Sequence, residues 1–281
     1  RLYSMDKAQS EDAIREWIKR CEKLRNEAVS GGNELPKLSY VIEHKFDGLT
    51  LCLTYKEGKL VQAATRGNGV TGEAILPQAL TINSIPLSIP YTGTLEVHGE
   101  CYMRLSVLDR YNETAAEPLK NARNAAAGAL RNLDPKVTAS RKLSATMYGV
   151  SYIEGRSFKD HAEMLGFLRE NRFPVPECEL WADSIEDAVK AIRQVEETRG
   201  ELDYLIDGAV IDVCDYATRD AMGYTDKFPR WAVAYKFEAE EVTTLLEDVT
   251  WEVGRTGKLT PLAHLEAVEL AGATIRRATL N

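Results

Sequence analysis

Glu43, Lys45 and Asp47 occupy alternate positions of the segment EHKFDG at residues 43–48. In a β-strand, alternate side chains point to the same face, so an acid, an amine and a second acid are expected to lie together. A lysine amine is a nucleophile only after it has lost its proton, which burial and neighbouring charges promote. The spacing therefore indicates a candidate nucleophile at Lys45. Taken alone, a solvated strand face with a salt bridge would be the simpler explanation.

Three further segments place polar side chains next to glycines. Arg66 precedes a glycine in TRGNG (65–69), where a flexible turn lets a guanidinium approach a phosphate. Glu100 follows a glycine in LEVHGE, and Asp207 precedes one in LIDGAVI. Each segment predicts a polar group that a ligand could approach closely. An ordinary β-turn with an exposed arginine remains the alternative for the first of them.

A basic patch interrupts an otherwise acidic chain. Six lysines and arginines between residues 120 and 142 are opposed by a single acid, Asp134. Arg123 and Arg131 lie in NARNAAAGALR, whose small residues allow a helix to pack tightly. The patch suits a phosphate-handling site, although on charge alone a solvated helix face with a loop is the simpler explanation.

Two strand-like segments carry further candidates. Tyr148, in YGV, could stack on a nucleobase, although a core tyrosine is the commoner role. In RWAVAYKF (230–237), alternation places Lys236 on the face opposite its aromatic and apolar neighbours.

Composition limits the class of protein. The 281 residues suffice for one large domain, or one domain and part of a second, and 44% are hydrophobic. The net charge of −8 argues against a surface coated with basic residues for nucleic acid. The five cysteines include no CxxC pair, so free thiols and no zinc site are expected. The sequence shows no membrane-spanning run and no signal-peptide core, which predicts a cytoplasmic protein without membrane contact.

Hydrophobic periodicity predicts an α+β fold with antiparallel sheets, because strands and helices mix without regular βαβ alternation. Helices are predicted over 10–30, 121–132, 159–171 and 184–198. Strands are predicted over 40–47, 49–55, 60–66, 94–104, 143–153, 206–213 and 231–238. After residue 241 the pattern changes to short strands at 244–253, 258–265 and 274–280, which indicates the opening of a small β-barrel. We therefore expect one domain at 1–241 and part of another at 242–281.

In this order, the segments resemble the nucleotidyltransferase motifs of bacterial NAD⁺-dependent DNA ligases. The resemblance rests on KFDG, TRGNG, EVHGE, NARNAAAGALR, YGV, IDGAVI and WAVAYKF. The early segment SMD and the late segments VGRTGKLTP and RATLN also resemble parts of that family, the latter two the start of its OB-fold domain. The resemblance covers nearly the whole chain. Its longest segments favour the NAD⁺-dependent branch over ATP-dependent ligases and capping enzymes.

The resemblance implies a nucleotidyltransferase (ATP-grasp-like) domain followed by an incomplete OB-fold, and it implies roles for individual residues. The catalytic residues would be Lys45 as nucleophile, Asp47, and Lys236 at the α-phosphate. Residues near the nucleotide would be Ser4, Met5, Glu43, Arg66, Glu100, Tyr148, Asp207 and Asp212. Arg123, Arg131 and Arg230 would contact DNA phosphates or the leaving group, and Glu100 and Asp207 would be candidate ligands of Mg²⁺.

The family's chemistry is implied with these roles. Lys45 would take AMP from NAD⁺ and release nicotinamide mononucleotide; AMP would pass to the 5′-phosphate of nicked double-stranded DNA, and the 3′-hydroxyl would displace it. Each step is a phosphoryl displacement, in which cations and Mg²⁺ neutralise growing charge. A monomer is expected. Zn²⁺ is expected only in the C-terminal part of the longer enzyme.

The sequence also departs from the family. Asp212 stands where the family usually has a nucleotide-contacting lysine, and an anion beside a phosphate reverses the sign of a Coulomb interaction. Ala74, Ala122 and Leu205 are smaller departures. The acid at 212 leads to two expectations: that Asp212→Lys would strengthen adenylation, and that an impaired nucleotide-binding or DNA-binding module is an alternative function. A third possible function, beside the active NAD⁺-dependent ligase and the impaired module, is an ATP- or GTP-using ligase or capping enzyme.

The family's N-terminal module has no counterpart before Arg1, and its zinc, helix-hairpin-helix and BRCT regions have none after the OB-fold start. The sequence is therefore interpreted as a fragment. Such a fragment is expected to bind AMP but to react poorly with NAD⁺.

Overall fold

The computed structural model describes residues 2–238, 241–270 and 273–280. They divide into two units: unit 1 contains residues 2–117 and 122–237, and unit 2 contains the described residues of 118–121 and 238–281. The strands are β1 (Asp6–Ala8), β2 (Tyr40–Phe46), β3 (Leu49–Lys56), β4 (Lys59–Thr65), β5 (Leu95–Tyr102), β6 (Ser144–Ile153), β7 (Glu179–Ala182), β8 (Ile206–Val213), β9 (Ala232–Lys236), β10 (Leu246–Val253), β11 (Leu259–Leu270) and β12 (Ala273–Thr279).

The α-helices, all in unit 1, are α1 (Glu11–Ser30), α2 (Leu76–Ala79), α3 (Leu105–Asn112), α4 (Ala122–Leu130), α5 (Pro135–Ser140), α6 (His161–Glu170), α7 (Ile185–Thr198) and α8 (Tyr216–Met222). A 3₁₀ turn covers Arg199–Glu201. None of the described helices combines the length and the apolar character that crossing a membrane requires.

Unit 1 contains two sheets. Sheet A has the strand order β1-β9-β8-β2-β7 and is antiparallel except for the β1–β9 pair. Sheet B has the order β4-β3-β5-β6 and is antiparallel throughout. Helices α1 and α7 share a hydrophobic core with one face of sheet A, while α4 packs on β3 and β5 and α6 packs on β6. This mixture of antiparallel sheets and helices confirms the predicted α+β class.

Helix α1 shows why its cap and its hydrophobic period could be recognised in the sequence. The Ser10 side chain accepts a hydrogen bond from the Ala13 backbone N–H and so caps the helix, as predicted. Its buried residues, Ile14, Trp17, Ile18 and Cys21, follow the helical period and face the core of sheet A.

Several predicted limits need correction. The strand predicted over 94–104 ends at Tyr102, because Arg104 already precedes α3. The barrel strand predicted over 258–265 continues to Leu270, past an irregularity in its pairing between His264 and Val268. Helices α2, α3, α5 and α8 and strands β1 and β7 were not predicted. They are short, so hydrophobic periodicity has too few residues to show itself.

Unit 2 contains a three-stranded antiparallel sheet in the order β10-β11-β12, the antiparallel arrangement expected for the start of an OB-fold. Every residue of β10 is exposed, including Trp251 and Val253. The described residues of this unit thus form an open sheet.

All five cysteines of the chain are free thiols, as expected, and three of them are buried.

Candidate active site

A cavity of about 660 Å³ in unit 1 gathers most of the polar residues that the sequence singled out. Its walls come from the ends of strands in both sheets and from α4. The polar and charged side chains among its lining residues are Lys45, Asp47, Thr50, Thr65, Arg66, Thr71, Glu73, Glu100, Arg123, Arg131 and Asp207. Four of these side chains are cations and four are acids, and the cations are the groups that a ligand carrying phosphates would contact.

Lys45 lies at the end of β2, beside an acid from the neighbouring strand β8. Its Nζ atom donates a hydrogen bond of 2.6 Å to Oδ1 of Asp207, and Lys236 Nζ on β9 donates one of 3.1 Å to Oδ2. Burial alone would raise the pKa of Asp207, but the hydrogen bonds and charges of the two lysines outweigh burial and lower it. Asp207 is therefore an ionised carboxylate that holds two amines side by side.

Gly208 makes this close arrangement of three strands possible. A Cβ atom at this position would lie 2.0 Å from the carbonyl oxygen of Tyr235, so any side chain would push β9 away from β8. Gly48 has a similar role after Lys45, since a Cβ there would lie 2.2 Å from the Cys101 carbonyl oxygen. The glycines of the KFDG and IDG segments thus permit close backbone approach.

Asp47 pairs with the basic helix. Its Oδ1 atom lies 3.0 Å from an Arg123 guanidinium nitrogen on α4. Burial raises the pKa of the Asp47 carboxyl above its ordinary value, and the Arg123 charge opposes this rise. Four of the five alanines of α4 are buried, while the side chain of Arg123 is 57% exposed. The helix therefore packs through its small residues and presents an arginine to the cavity, as its composition predicts.

Glu100 lies deeper, on β5. Burial raises the pKa of its carboxyl to about 7, although hydrogen bonds from the Thr50 and Tyr148 hydroxyls lower it in part. The Tyr148 ring meets the His98 ring edge-on at 5.4 Å, and burial raises the pKa of its phenol. Tyr148 thus contacts Glu100 and is not among the residues lining the cavity.

Arg66 and Arg131 complete the cationic walls. The guanidinium of Arg66 donates a hydrogen bond of 2.9 Å to the Ser4 hydroxyl, and Arg131 lies 3.7 Å from the Glu73 carboxylate. Both contacts are exposed, so a phosphate could replace either partner at low cost. Sequence reasoning missed Glu73 and Thr50, whose segments gave no chemical signal.

Other predicted residues lie outside the set that lines the cavity. Met5 is half-buried just before β1. The Arg230 guanidinium donates a hydrogen bond to the Met222 carbonyl oxygen and is not brought to Lys45. Glu43 and Asp212 are buried near His161 and Arg219, and Asp212 lies 3.8 Å from the Arg219 guanidinium. A cation therefore stands beside the acid that replaces the family's usual lysine.

The comparisons with known proteins agree with this arrangement. A family model described as the NAD-dependent DNA ligase adenylation domain matches residues 1–240. The chain belongs to the NAD-dependent DNA ligase family. A second model, described as the NAD-dependent DNA ligase OB-fold domain, matches residues 243–281. The family resemblance expected from the motifs is thereby confirmed.

Two curated relatives are named DNA ligase. That of Alkaliphilus metalliredigens (strain QYMF) is 55% identical over 280 residues, which is 100% of this chain and 41% of the relative. That of Finegoldia magna is 52% identical over 281 residues, which is 100% of this chain and 42% of the relative. The chain thus spans about two fifths of the length of these relatives.

A solved structure named "Pmar-Lig_PreS3" has a similar fold. It aligns with a TM-score of 0.53 and 15% sequence identity, covering 97% of this chain and 55% of that chain. At this identity the likeness shows the fold alone.

Proposed function

We propose that this chain is the adenylating core of an NAD⁺-dependent DNA ligase and that Lys45 is its nucleophile. The observation that carries the proposal is the 2.6 Å contact between Lys45 Nζ and Asp207 Oδ1, at a cavity lined by four cations. The unprotonated amine attacks the α-phosphorus of NAD⁺, forming a P–N bond. The P–O bond to nicotinamide mononucleotide breaks, and this group leaves with the electron pair.

The surrounding residues fit this displacement. Asp207 orients the amine before reaction, and Lys236, at its other oxygen, is placed to neutralise charge on the α-phosphate. Arg66, Arg123 and Arg131 are each paired with a side chain that a phosphate can replace. The later steps, AMP transfer to the 5′-phosphate of nicked DNA and its displacement by the 3′-hydroxyl, belong to the same proposal.

Mg²⁺ fits the residues present only with help from the substrate. Among the described residues, no group of three His, Cys, Asp or Glu side chains could hold a metal ion. Mg²⁺ is commonly bound by one or two carboxylates together with substrate phosphates and water. Glu100 and Asp207 are the candidate carboxylates, and the ion would neutralise charge on the phosphate oxygens.

The proposal includes the organisation of the protein. We place the adenylation domain at residues 1–241 and the OB-fold portion at 242–281, and we expect a cytoplasmic monomer that acts on nicked double-stranded DNA. The position of Arg219 beside Asp212 supports an active enzyme over the impaired module, because the acid at 212 does not stand alone.

The function is tested by the choice of AMP donor. The longer protein containing this chain is incubated with NAD⁺ or with ATP, and its intact mass is measured before and after addition of nicked DNA. We expect a lysyl-AMP adduct with NAD⁺ alone, which disappears as the nick is sealed. An adduct formed from ATP and not from NAD⁺ would assign the chain to the other ligase class, and no adduct from either would refute the proposal.

A further inference from the structure

The four cations that line the cavity are held by two different kinds of group. Three of them are held by carboxylates, in the pairs Lys45–Asp207, Arg123–Asp47 and Arg131–Glu73. Arg66 differs, because its guanidinium donates a hydrogen bond of 2.9 Å to the Ser4 hydroxyl. A neutral hydroxyl orients a cation without offsetting its charge, so Arg66 keeps its charge for a phosphate.

Ser4 belongs to a short segment that runs between the two sheets of unit 1. On one side, Asp6 begins β1, which pairs with β9 in sheet A. On the other side, the Leu2 backbone N–H donates a hydrogen bond of 2.9 Å to the Gly69 carbonyl oxygen, in the turn that follows β4 of sheet B. We call residues 2–5 the bridging segment. Its position determines where the Ser4 hydroxyl lies.

The turn that receives Leu2 is held in one shape by its own hydrogen bonds. The Asn68 Oδ1 atom accepts a hydrogen bond of 2.8 Å from the Thr71 backbone N–H. The Gly69 backbone N–H donates one of 2.9 Å to the Arg66 carbonyl oxygen. The first end of the bridging segment is therefore connected to the backbone of Arg66 itself.

An aromatic stack holds the middle of the bridging segment. The Tyr3 and Tyr224 rings lie 4.7 Å apart, with an angle of 29° between their planes. The Tyr224 ring meets the Trp231 ring edge-on at 6.0 Å, and the Arg219 guanidinium lies 4.4 Å from the centre of the Trp231 ring. Stacked aromatic rings stabilise each other beyond the area that they bury. Tyr224 thus connects the bridging segment to side chains that are fixed next to β9 and on α8.

We propose that Tyr224 is a positioning residue for the adenylation reaction. Through the Tyr3 ring it fixes the bridging segment, so that the Ser4 hydroxyl holds the Arg66 guanidinium at the cavity wall before a phosphate arrives. A cation that is already in place loses less freedom when the phosphate binds. Tyr224 acts through these residues, since it is not among the residues that line the cavity. The inference rests on the proposed function, because it assumes a nucleotide phosphate in the cavity.

The test compares AMP with adenosine, which differ by the phosphate. Both are titrated into the chain by calorimetry, and the ratio of the adenosine to the AMP dissociation constant measures what the phosphate contributes. Tyr224→Ala should reduce this ratio by about 3- to 10-fold, the amount that one stacked pair of rings supplies. Tyr3→Ala removes the other ring and should reduce the ratio equally. The double variant should show no larger loss, because both changes break the same stack.

Conservative variants separate the ring from the rest of the side chain. Tyr224→Phe and Tyr3→Phe keep the stack and should keep the parent ratio. Tyr152→Ala is the matched control, because Tyr152 on β6 is 50% exposed, close to the 45% of Tyr224, and is not among the residues lining the cavity. It should leave the ratio unchanged. Ser4→Ala should lower the ratio in the parent chain and have no further effect in Tyr224→Ala.

A merely structural role for Tyr224 would weaken adenosine and AMP equally. The ratio would then stay at its parent value, which would overturn the inference. Losses that add in the Tyr3→Ala, Tyr224→Ala double variant would also overturn it, because the two rings would then act separately. If Tyr224→Ala fails to fold, as judged by circular dichroism, Tyr3→Ala decides.

Two further outcomes separate this inference from the proposed function. If the parent chain binds AMP and the ratio does not change in Tyr224→Ala, the role of Tyr224 is wrong while the nucleotide site remains. If the parent chain binds neither AMP nor adenosine, the proposed site itself is wrong, and the inference with it.

Discussion

Two clusters of charge share one face of sheet A and differ in their access to solvent. In the first cluster, the side chains of Lys45 and Asp207, which line the cavity, and of Lys236, which pairs with Asp207, are 25–32% exposed. In a second, buried cluster, made of Glu43, His161, Arg219 and Asp212, the side chain of His161 is 2% exposed and that of Glu43 is 6%. A partly exposed cation can exchange a carboxylate for a phosphate at small cost, whereas a buried one cannot leave its partner. The comparison suggests that the first cluster exchanges partners during reaction and the second keeps its geometry constant.

Asp212→Lys tests the buried side of this comparison and should have the largest effect. The new ammonium would stand beside the Arg219 guanidinium in a buried environment, with no acid between them. We expect the free energy of unfolding to fall by about 3–5 kcal/mol, measured by urea denaturation. This reverses the expectation from sequence that the change would strengthen adenylation. A stable variant that forms lysyl-AMP faster than the parent protein would support the expectation from sequence, that the acid at position 212 weakens adenylation.

Asp207→Asn tests the partly exposed cluster of Lys45, Asp207 and Lys236. An amide cannot balance the charges of Lys45 and Lys236, so both amines lose the partner that holds them. We expect lysyl-AMP formation in the longer protein to slow by about 100- to 1000-fold. The free energy of unfolding should change by less than about 1 kcal/mol, because the group is partly exposed. A large loss of stability with an unchanged rate would mean that the two clusters do not differ as described.

Glu100→Gln tests whether burial raises the pKa of Glu100, an acid that lines the cavity. Burial raises the pKa of Glu100 from 4.5 to about 7 in the folded chain, so the folded state binds a proton more tightly than the unfolded state. This tighter proton binding raises the free energy of unfolding. The contribution is fully present below pH 4.5 and is lost as the pH rises through about 7.

The glutamine variant carries no ionisable group at this position. Relative to the parent chain, it should therefore gain about 2–3 kcal/mol between roughly pH 5 and roughly pH 8, as measured by urea denaturation. A stability difference that does not vary with pH would show that Glu100 titrates normally.

Ser10→Ala provides the smallest expected effect, because Ser10 belongs to neither cluster. It removes the side-chain cap of α1 and should lower the free energy of unfolding by about 1 kcal/mol. The rate of lysyl-AMP formation should be unchanged. A slower rate would indicate that global stability, and not local geometry, limits the reaction.

Local patterns predicted the elements that are long and regular. The alternation around Lys45 located β2, and the cap and period of α1 located that helix almost to the residue. The site residues were predicted from the order of the family's motifs along the chain. Local patterns could not supply them, because no local rule links Lys45 to an acid 162 residues away. Arg219 could not be predicted, since α8 has seven residues and its contact with Asp212 depends on how the chain turns after β8.

The central claim, that Lys45 takes up AMP, is tested most directly by locating the adduct. The longer protein is incubated with NAD⁺, digested, and its peptides are sequenced by mass spectrometry. We predict AMP on Lys45, and no adduct in a Lys45→Ala variant whose circular dichroism matches that of the parent. AMP found instead on Lys236, the other amine held by Asp207, would contradict the assignment of the nucleophile.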